Sequence, residues 1–274
     1  MLKSVAAGGA GVDWERRLSA WRADAVEVLG SSRLGRPILG RTFGAAAVGP
    51  DRPGPTLVVV GATHGDEPSS AEAVWELGQR LAATSHQAAR VAVLVIPALN
   101  PDGLVAGTKN AASDVDLNRN FPARNFARAH APGYDPGPFP LSEPETALLA
   151  RVLDERGAVA VVSVHAPFAC VNFDGPAVAW AEAVASACGW PARADIGYPT
   201  PGSLGSWLGI DRDLPLLTLE LPPGALDGFR SQAARALDAA VAWAQGQLGA
   251  GAGSPAIGRP GGQRRRGRDK GKSA

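Results

Sequence analysis

Leu57-Val58-Val59-Val60-Gly61-Ala62-Thr63-His64-Gly65-Asp66-Glu67 is the stretch on which the fold turns. Its first four residues are apolar and mostly β-branched, with no polar alternation, which is the pattern of a strand buried on both faces. Gly61 ends the run, and the polar loop that follows presents a histidine and two carboxylates at the strand's carboxyl end. Downstream, residues 71–83 place Val74, Leu77 and Leu81 on one helical face, and residues 91–96 form a second unbroken apolar run. Further apolar runs at 159–164 and 215–221 alternate with helical patterns at 176–188, closed by Gly189, and at 229–248. Strands alternating with helices predict an α/β fold, a mixed, mainly parallel twisted sheet with helices on both faces.

Three other segments carry local expectations. Trp14, Leu18, Trp21, Ala25 and Val28 are spaced for an amphipathic helix over 14–29 that ends at Gly30. Ser142-Glu143-Pro144-Glu145, ahead of Leu148, Leu149, Val152 and Leu153, reads as a capping box opening a helix. Residues 98–140 are polar and lack apolar periodicity, and a loop region of that length in a compact domain is usually functional.

Composition narrows the class. A chain of 274 residues with 45% apolar and 19% charged residues excludes wholesale disorder and fibrous repeats. Cys170 and Cys188 are the only cysteines, so neither a disulfide framework nor a thiolate zinc site is expected, and a reducing cytoplasm suits the chain. The first thirty residues are broken by charges, and no run of 18 apolar residues occurs, so neither a signal segment nor a membrane span is expected. Residues 251–274 hold seven Arg and Lys against Asp269, leaving +6 there and −5 on residues 1–250. We expect one domain over 1–250 and a disordered, Gly- and Arg-rich tail over 251–274. The tail is solvated, or it binds nucleic acid or another anionic surface. The oligomeric state is left open.

In α/β sheets ligands bind beyond the carboxyl ends of the strands. Residues 57–60 are followed there by His64 and Glu67, residues 159–164 by His165, and residues 215–221 contain Glu220. Two imidazoles and one carboxylate, with a fourth position for water, form a recurring ligand set of catalytic zinc. Taken singly, each histidine reads first as a hydrogen-bonded loop residue; His64, Glu67, His165 and Glu220 together point to the metal. Asn100-Pro101-Asp102-Gly103 reads as a turn, and Asp116-Leu117-Asn118-Arg119-Asn120 offers a guanidinium fork suited to a carboxylate.

Taken together, H-G-D-E at 64–67, N-P-D-G at 100–103, D-L-N-R-N at 116–120, V-H at 164–165, Tyr198 22 residues before Glu220, and T-L-E-L at 218–221 resemble the zinc metallocarboxypeptidases. H-A-P at 165–167, F-D-G-P-A at 173–177 and Y-P-T-P-G-S-L-G-S-W at 198–207 are similar to the branch of that family that hydrolyses murein peptides. That branch cleaves between γ-D-glutamate and meso-diaminopimelate. The resemblance implies one zinc ion on His64, Glu67 and His165, with Glu220 as general base and acid. It implies that Asn118 and Arg119 bind the substrate carboxylate, that Tyr198 closes over the substrate, and that Asp116 hydrogen-bonds a ligand histidine. The family's carbonyl-polarising arginine is matched most nearly by Lys109, which lacks the bidentate fork. A small murein tripeptide-like substrate follows. The rival readings are another zinc carboxypeptidase, a related zinc hydrolase of N-acyl amino acids, and a peptide-binding module that has lost catalysis.

Overall fold

A computed structural model describes residues 14, 16–17, 26–44, 54–84 and 90–248. An eight-stranded sheet is formed by β1 (Glu27–Ser31), β2 (Pro37–Phe43), β3 (Thr56–Val60), β4 (Ala92–Ile96), β5 (Ala158–His165), β6 (Cys170–Asp174), β7 (Ala192–Arg193) and β8 (Leu216–Glu220). The strand order is β1-β2-β4-β3-β5-β8-β6-β7. The four central strands β4, β3, β5 and β8 run parallel, while β2 and β6 pair antiparallel at either side of them. The main helices are α1 (Pro68–Ala82), α2 (Pro101–Ala106), α3 (Pro144–Glu155), α4 (Val178–Cys188) and α5 (Arg230–Gln247).

The expected α/β layering follows from the alternation within the apolar runs. Leu57 and Val59 face one core, which α1, α4 and α5 cover with Val74, Leu77, Trp180 and Leu237. Val58 and Val60 face the other, closed by Leu149 and Val152 of α3 together with Phe121 and Trp207. All five residues of β3 are buried, as the unalternating pattern requires. From β3 the chain crosses to β4 on one side and later returns to β5 on the other. Such a reversal opens a crevice at the carboxyl ends of β3 and β5.

Three local expectations are corrected. The helix expected over 14–29 cannot reach its end, because Glu27–Ser31 is the edge strand β1, paired with β2. Only Trp14, Arg16 and Arg17 of that segment are helical among the described residues, and residues 18–25 lie outside them. At the end of that segment helical spacing is outweighed by the pairing of Val28 with Leu39. The capping box does not form: α3 has Glu143 at its N-cap without a side-chain cap bond, and Glu145 Oε1 instead accepts the Arg33 backbone N–H at 2.9 Å. Asn100-Pro101-Asp102-Gly103 opens α2 rather than a free turn, Asn100 Oδ1 accepting the Gly103 N–H at 2.8 Å. The tail over 251–274 lies outside the described residues. No helix among the described residues is long and apolar enough to cross a membrane.

Candidate metal centre and active site

β3 ends at Val60, and the chain folds back through Gly61 and Ala62 so that His64 and Glu67 stand just ahead of α1. Gly65 allows this loop to lie on the start of α2: a Cβ there would stand 1.9 Å from the Gly103 carbonyl carbon. β5 delivers His165 as its last residue, and β8 delivers Glu220 directly opposite it in register. Four chemistry-bearing side chains thus come from three adjacent parallel strands.

His64, Glu67 and His165 each offer a ligand atom, and these atoms lie within 4.8 Å of one another. His64 Nδ1 is 2.8 Å from Glu67 Oε1, and His165 Nδ1 is 3.1 Å from Glu67 Oε2. The other His64 nitrogen, Nε2, stands 3.0 Å from Asp116 Oδ1. Asp116 is fully buried; its Oδ1 also accepts the Asn118 N–H at 2.9 Å, and its Oδ2 takes Lys109 Nζ at 2.6 Å.

An imidazole flanked on both nitrogens by carboxylate oxygens needs a proton on each, or a cation in place of one. Burial alone would lower the His64 pKa, but Glu67 and Asp116 outweigh it and raise it to about 10. Burial pushes the Glu67 carboxyl up, and the two histidines more than reverse this, bringing it to about 2. Asp116 is held well below the usual carboxylate range, its burial outweighed by His64, Lys109 and Arg119. In the metal-free protein a second proton on His64 answers the two carboxylates, and two Nδ1 atoms facing both oxygens of one carboxylate suit a small divalent ion in that proton's place. With its Nε2–H donated to Asp116, His64 would have the Nδ1 lone pair free for such an ion.

Glu220 behaves oppositely. Burial pushes its carboxyl above the usual range, with His165 opposing and Glu67 adding to the shift. Its Oε2 is buried with no hydrogen-bond partner in the described residues, and so is His165 Nε2. Neighbouring carboxyls driven apart in proton affinity mark one for charge and one for proton transfer.

These groups line one cleft of about 1540 Å³, together with Lys109, Asn118, Arg119, Tyr198 and Phe168. Arg119 is buried and donates to the Asn118 carbonyl at 2.6 Å. Lys109 is held by Asp116, by the Gly133 carbonyl at 3.0 Å and by the face of Tyr134, 3.7 Å from its centroid. Tyr198 is partly exposed at the mouth, its ring 6.1 Å from that of Phe168. His64, Glu67, Lys109, Asn118, Arg119, His165, Tyr198 and Glu220 thus line one cleft, whereas Asp116 contacts His64 from outside its lining.

The long loop is ordered by residues that periodicity does not reveal. Asn120 Nδ2 donates to the Pro136 carbonyl at 2.7 Å, the Phe139 carbonyl at 3.0 Å and Ser142 Oγ at 2.9 Å, while its Oδ1 accepts from Thr146 at 2.6 Å. Asp102 binds Ser32 Oγ, the Leu34 N–H and Arg36, pinning the β1–β2 hairpin to α2. A buried carboxamide or carboxylate satisfying several loop groups is recognisable only once those groups are brought together.

Residues 12–178 match the family model described as zinc carboxypeptidase. The chain belongs to the zinc carboxypeptidase family. Murein peptide amidase A of Escherichia coli (strain K12) is 35% identical over 213 residues, covering 73% of this chain and 83% of that protein. Murein peptide amidase A of Vibrio campbellii is 36% identical over 211 residues, covering 72% and 79%. The crystal structure of a murein-tripeptide amidase from Escherichia coli O157 matches with a TM-score of 0.62 at 32% identity, over 79% of this chain and 90% of that one. Carboxypeptidase A from Helicoverpa armigera shares the fold at 16% identity, with a TM-score of 0.68 over 87% and 72% of the two chains. As a member of the zinc carboxypeptidase family the chain is a hydrolase, and the His64, Glu67 and His165 donor set fits that family's metal.

Proposed function

We propose that this chain is a zinc-dependent amidase that hydrolyses the bond between γ-D-glutamate and meso-diaminopimelate in murein peptides. The observation that carries the reading is the unpartnered Glu220 Oε2 in the same cleft as the converging His64, Glu67 and His165 donors and the buried Arg119. Two murein peptide amidases at 35% and 36% identity support the substrate class.

His64, Glu67 and His165 would hold the zinc, which when bound supplies a Lewis acid for the amide carbonyl and lowers the pKa of a water. Glu220 Oε2 accepts a proton from the attacking water and returns it to the leaving nitrogen. Its buried carboxyl, with raised affinity for a proton, suits both halves of that transfer. Asn118 and Arg119 bind the free carboxylate beside the leaving amine, the guanidinium through paired hydrogen bonds. Tyr198 and Phe168 flank the mouth and cover the bound peptide. Lys109 presents an ammonium in the cleft in place of the family's carbonyl-polarising arginine, while sharing Asp116 with His64.

We further read residues 1–250 as one catalytic domain, residues 251–274 as an appended basic tail, and the setting as cytoplasmic. The free, buried Cys170 and Cys188 support a reducing compartment.

The test is a panel of three substrates given to zinc-loaded protein: L-Ala-γ-D-Glu-meso-diaminopimelate, an α-linked dipeptide, and an N-acetyl amino acid. Preference for the first supports the proposal. Preference for the second assigns a general carboxypeptidase, and preference for the third an N-acyl amino acid hydrolase.

A further inference from the structure

The turn at residues 131–135 meets both cationic side chains of the cleft. The Tyr134 N–H donates to the Ala131 carbonyl at 3.1 Å, and Gly133, with φ +81°, takes the left-handed backbone that the turn requires. The residue after Tyr134 is tied to the buried anion, the Asp116 N–H donating to the Asp135 carbonyl at 2.8 Å. The turn is thereby anchored to the same residue that binds Lys109 and faces His64.

That anchoring brings two consecutive residues onto one ammonium. Lys109 Nζ donates to the Gly133 carbonyl at 3.0 Å and stands 3.7 Å from the centroid of the Tyr134 ring. Its third contact is Asp116 Oδ2 at 2.6 Å. Lysine is a compact charge on a flexible stem with rotatable donors, so it keeps one position only where its surroundings fix it. Asp116 alone would leave the ammonium free to swing about a single ion pair, and the turn supplies the other two contacts.

The same ring reaches the second cation. The Arg119 guanidinium carbon lies 5.2 Å from its centroid. Among the described residues no other ring has two different cationic side chains against it. Cations are drawn to the electron-rich face of an aromatic ring within about 6 Å of its centroid. Tyr134 therefore sets Lys109 and Arg119 side by side, where two positive charges would otherwise move apart, and it lines the cleft with both of them.

We propose that Tyr134 is a positioning residue: its ring face, with the Gly133 carbonyl, holds the Lys109 ammonium at a fixed point beside Arg119. A lysine can then serve where a guanidinium fork would orient itself. The proposal rests on the reading that this cleft hydrolyses an amide beside a free carboxylate, with Lys109 facing the carbonyl and Arg119 the carboxylate. Tyr134 acts through Lys109 and not on the reacting atoms.

The experiment compares zinc-loaded wild type with Tyr134→Phe, which keeps the ring face, and Tyr134→Leu, which keeps apolar bulk without the face. Tyr134 is 38% exposed, so neither exchange opens the core, and unchanged thermal unfolding and zinc content verify this. On L-Ala-γ-D-Glu-meso-diaminopimelate, Tyr134→Leu should lower kcat/KM by about three- to thirty-fold, the size of a cation–π contact. The loss should fall chiefly on kcat, because charge develops on the carbonyl oxygen only in the transition state. Tyr134→Phe should retain most of the activity, and in a Lys109→Met background Tyr134→Leu should cost little more. No loss in Tyr134→Leu, equal losses in the two variants, a change in KM alone, or a full further loss in the Lys109→Met background would overturn the proposal.

A second readout needs no substrate. Lys3, Lys109, Lys270 and Lys272 are the only lysines of the chain, so carbon-13 labelling of lysine gives a spectrum in which the Lys109 ε-methylene is identified by its disappearance in Lys109→Met. Its relaxation should report an ordered side chain in wild type and Tyr134→Phe, and much of that order should be lost in Tyr134→Leu. Equal order in wild type and Tyr134→Leu would overturn the proposal. If wild type cleaves no murein peptide, the activity reading has failed, and this spectrum alone decides whether Tyr134 holds Lys109.

Discussion

Lys109 Nζ lies 2.6 Å from Asp116 Oδ2, on the carboxylate whose other oxygen faces His64 Nε2 at 3.0 Å. Asp116 is therefore a buried anion held between Lys109 and His64, and its contact with Nε2 leaves Nδ1 as the His64 nitrogen that faces Glu67. Groups that orient metal-bound histidines typically contribute about 10 to 100-fold in metal affinity or activity. Asp116→Ala should weaken zinc binding by that order, measured by competition with a chromophoric chelator. Lys109→Met, which leaves the His64 contact in place, should weaken it less while lowering kcat/KM. A larger zinc defect in Lys109→Met would mean that the lysine, not the aspartate, organises the site.

Zinc binding should release protons. Without metal, His64 carries a proton on both nitrogens up to about pH 10, because Glu67 and Asp116 outweigh its burial. Ligation needs a lone pair on Nδ1, so zinc must displace that proton. Near pH 8, calorimetry in buffers of different ionisation enthalpy should therefore show at least one proton released per zinc. Affinity should rise with pH from 6 to 9. A pH-independent affinity would show that His64 is already neutral in the metal-free protein.

Gly65→Ala tests the contact between the two site loops. A Cβ 1.9 Å from the Gly103 carbonyl carbon meets backbone, which cannot rotate aside. Overpacking typically costs about 1–3 kcal/mol, and the upper end is expected here. For a domain of this size each kcal/mol shifts Tm by roughly 2–4 °C, so thermal unfolding should fall by roughly 6–12 °C. An unchanged Tm would show that the loops separate freely.

Arg119→Lys keeps charge but not the fork, and Arg119→Ala loses both. The alanine variant should lower kcat/KM by about ten to a few hundred fold, with lysine between. The loss should be much smaller on a peptide whose diaminopimelate carboxylate is amidated. Equal losses on both peptides would show that Arg119 shapes its loop without reading the carboxylate.

The central strands were legible because their burial on both faces writes an unbroken apolar run, as in Leu57–Val60 and Val159–Val164. The convergence of His64, Glu67, His165 and Glu220 was legible because they fall where those runs end. The outer strands were not. β1 contains Gly30, β6 reads Cys-Val-Asn-Phe-Asp, and β7 has two residues, so none carries a period of its own. Asn120 and Asp102 likewise act on partners brought near only by folding.

The most direct test of the account is one mass spectrum of L-Ala-γ-D-Glu-meso-diaminopimelate after incubation with zinc-loaded wild type, beside one with zinc-loaded Glu220→Gln. Wild type should yield free meso-diaminopimelate and the Ala-Glu dipeptide. Glu220→Gln, retaining fold and zinc but not the proton acceptor, should be slower by about 10² to 10⁴-fold. Cleavage by wild type at the Ala-Glu bond, intact tripeptide with both proteins, or equal rates for the two would contradict it.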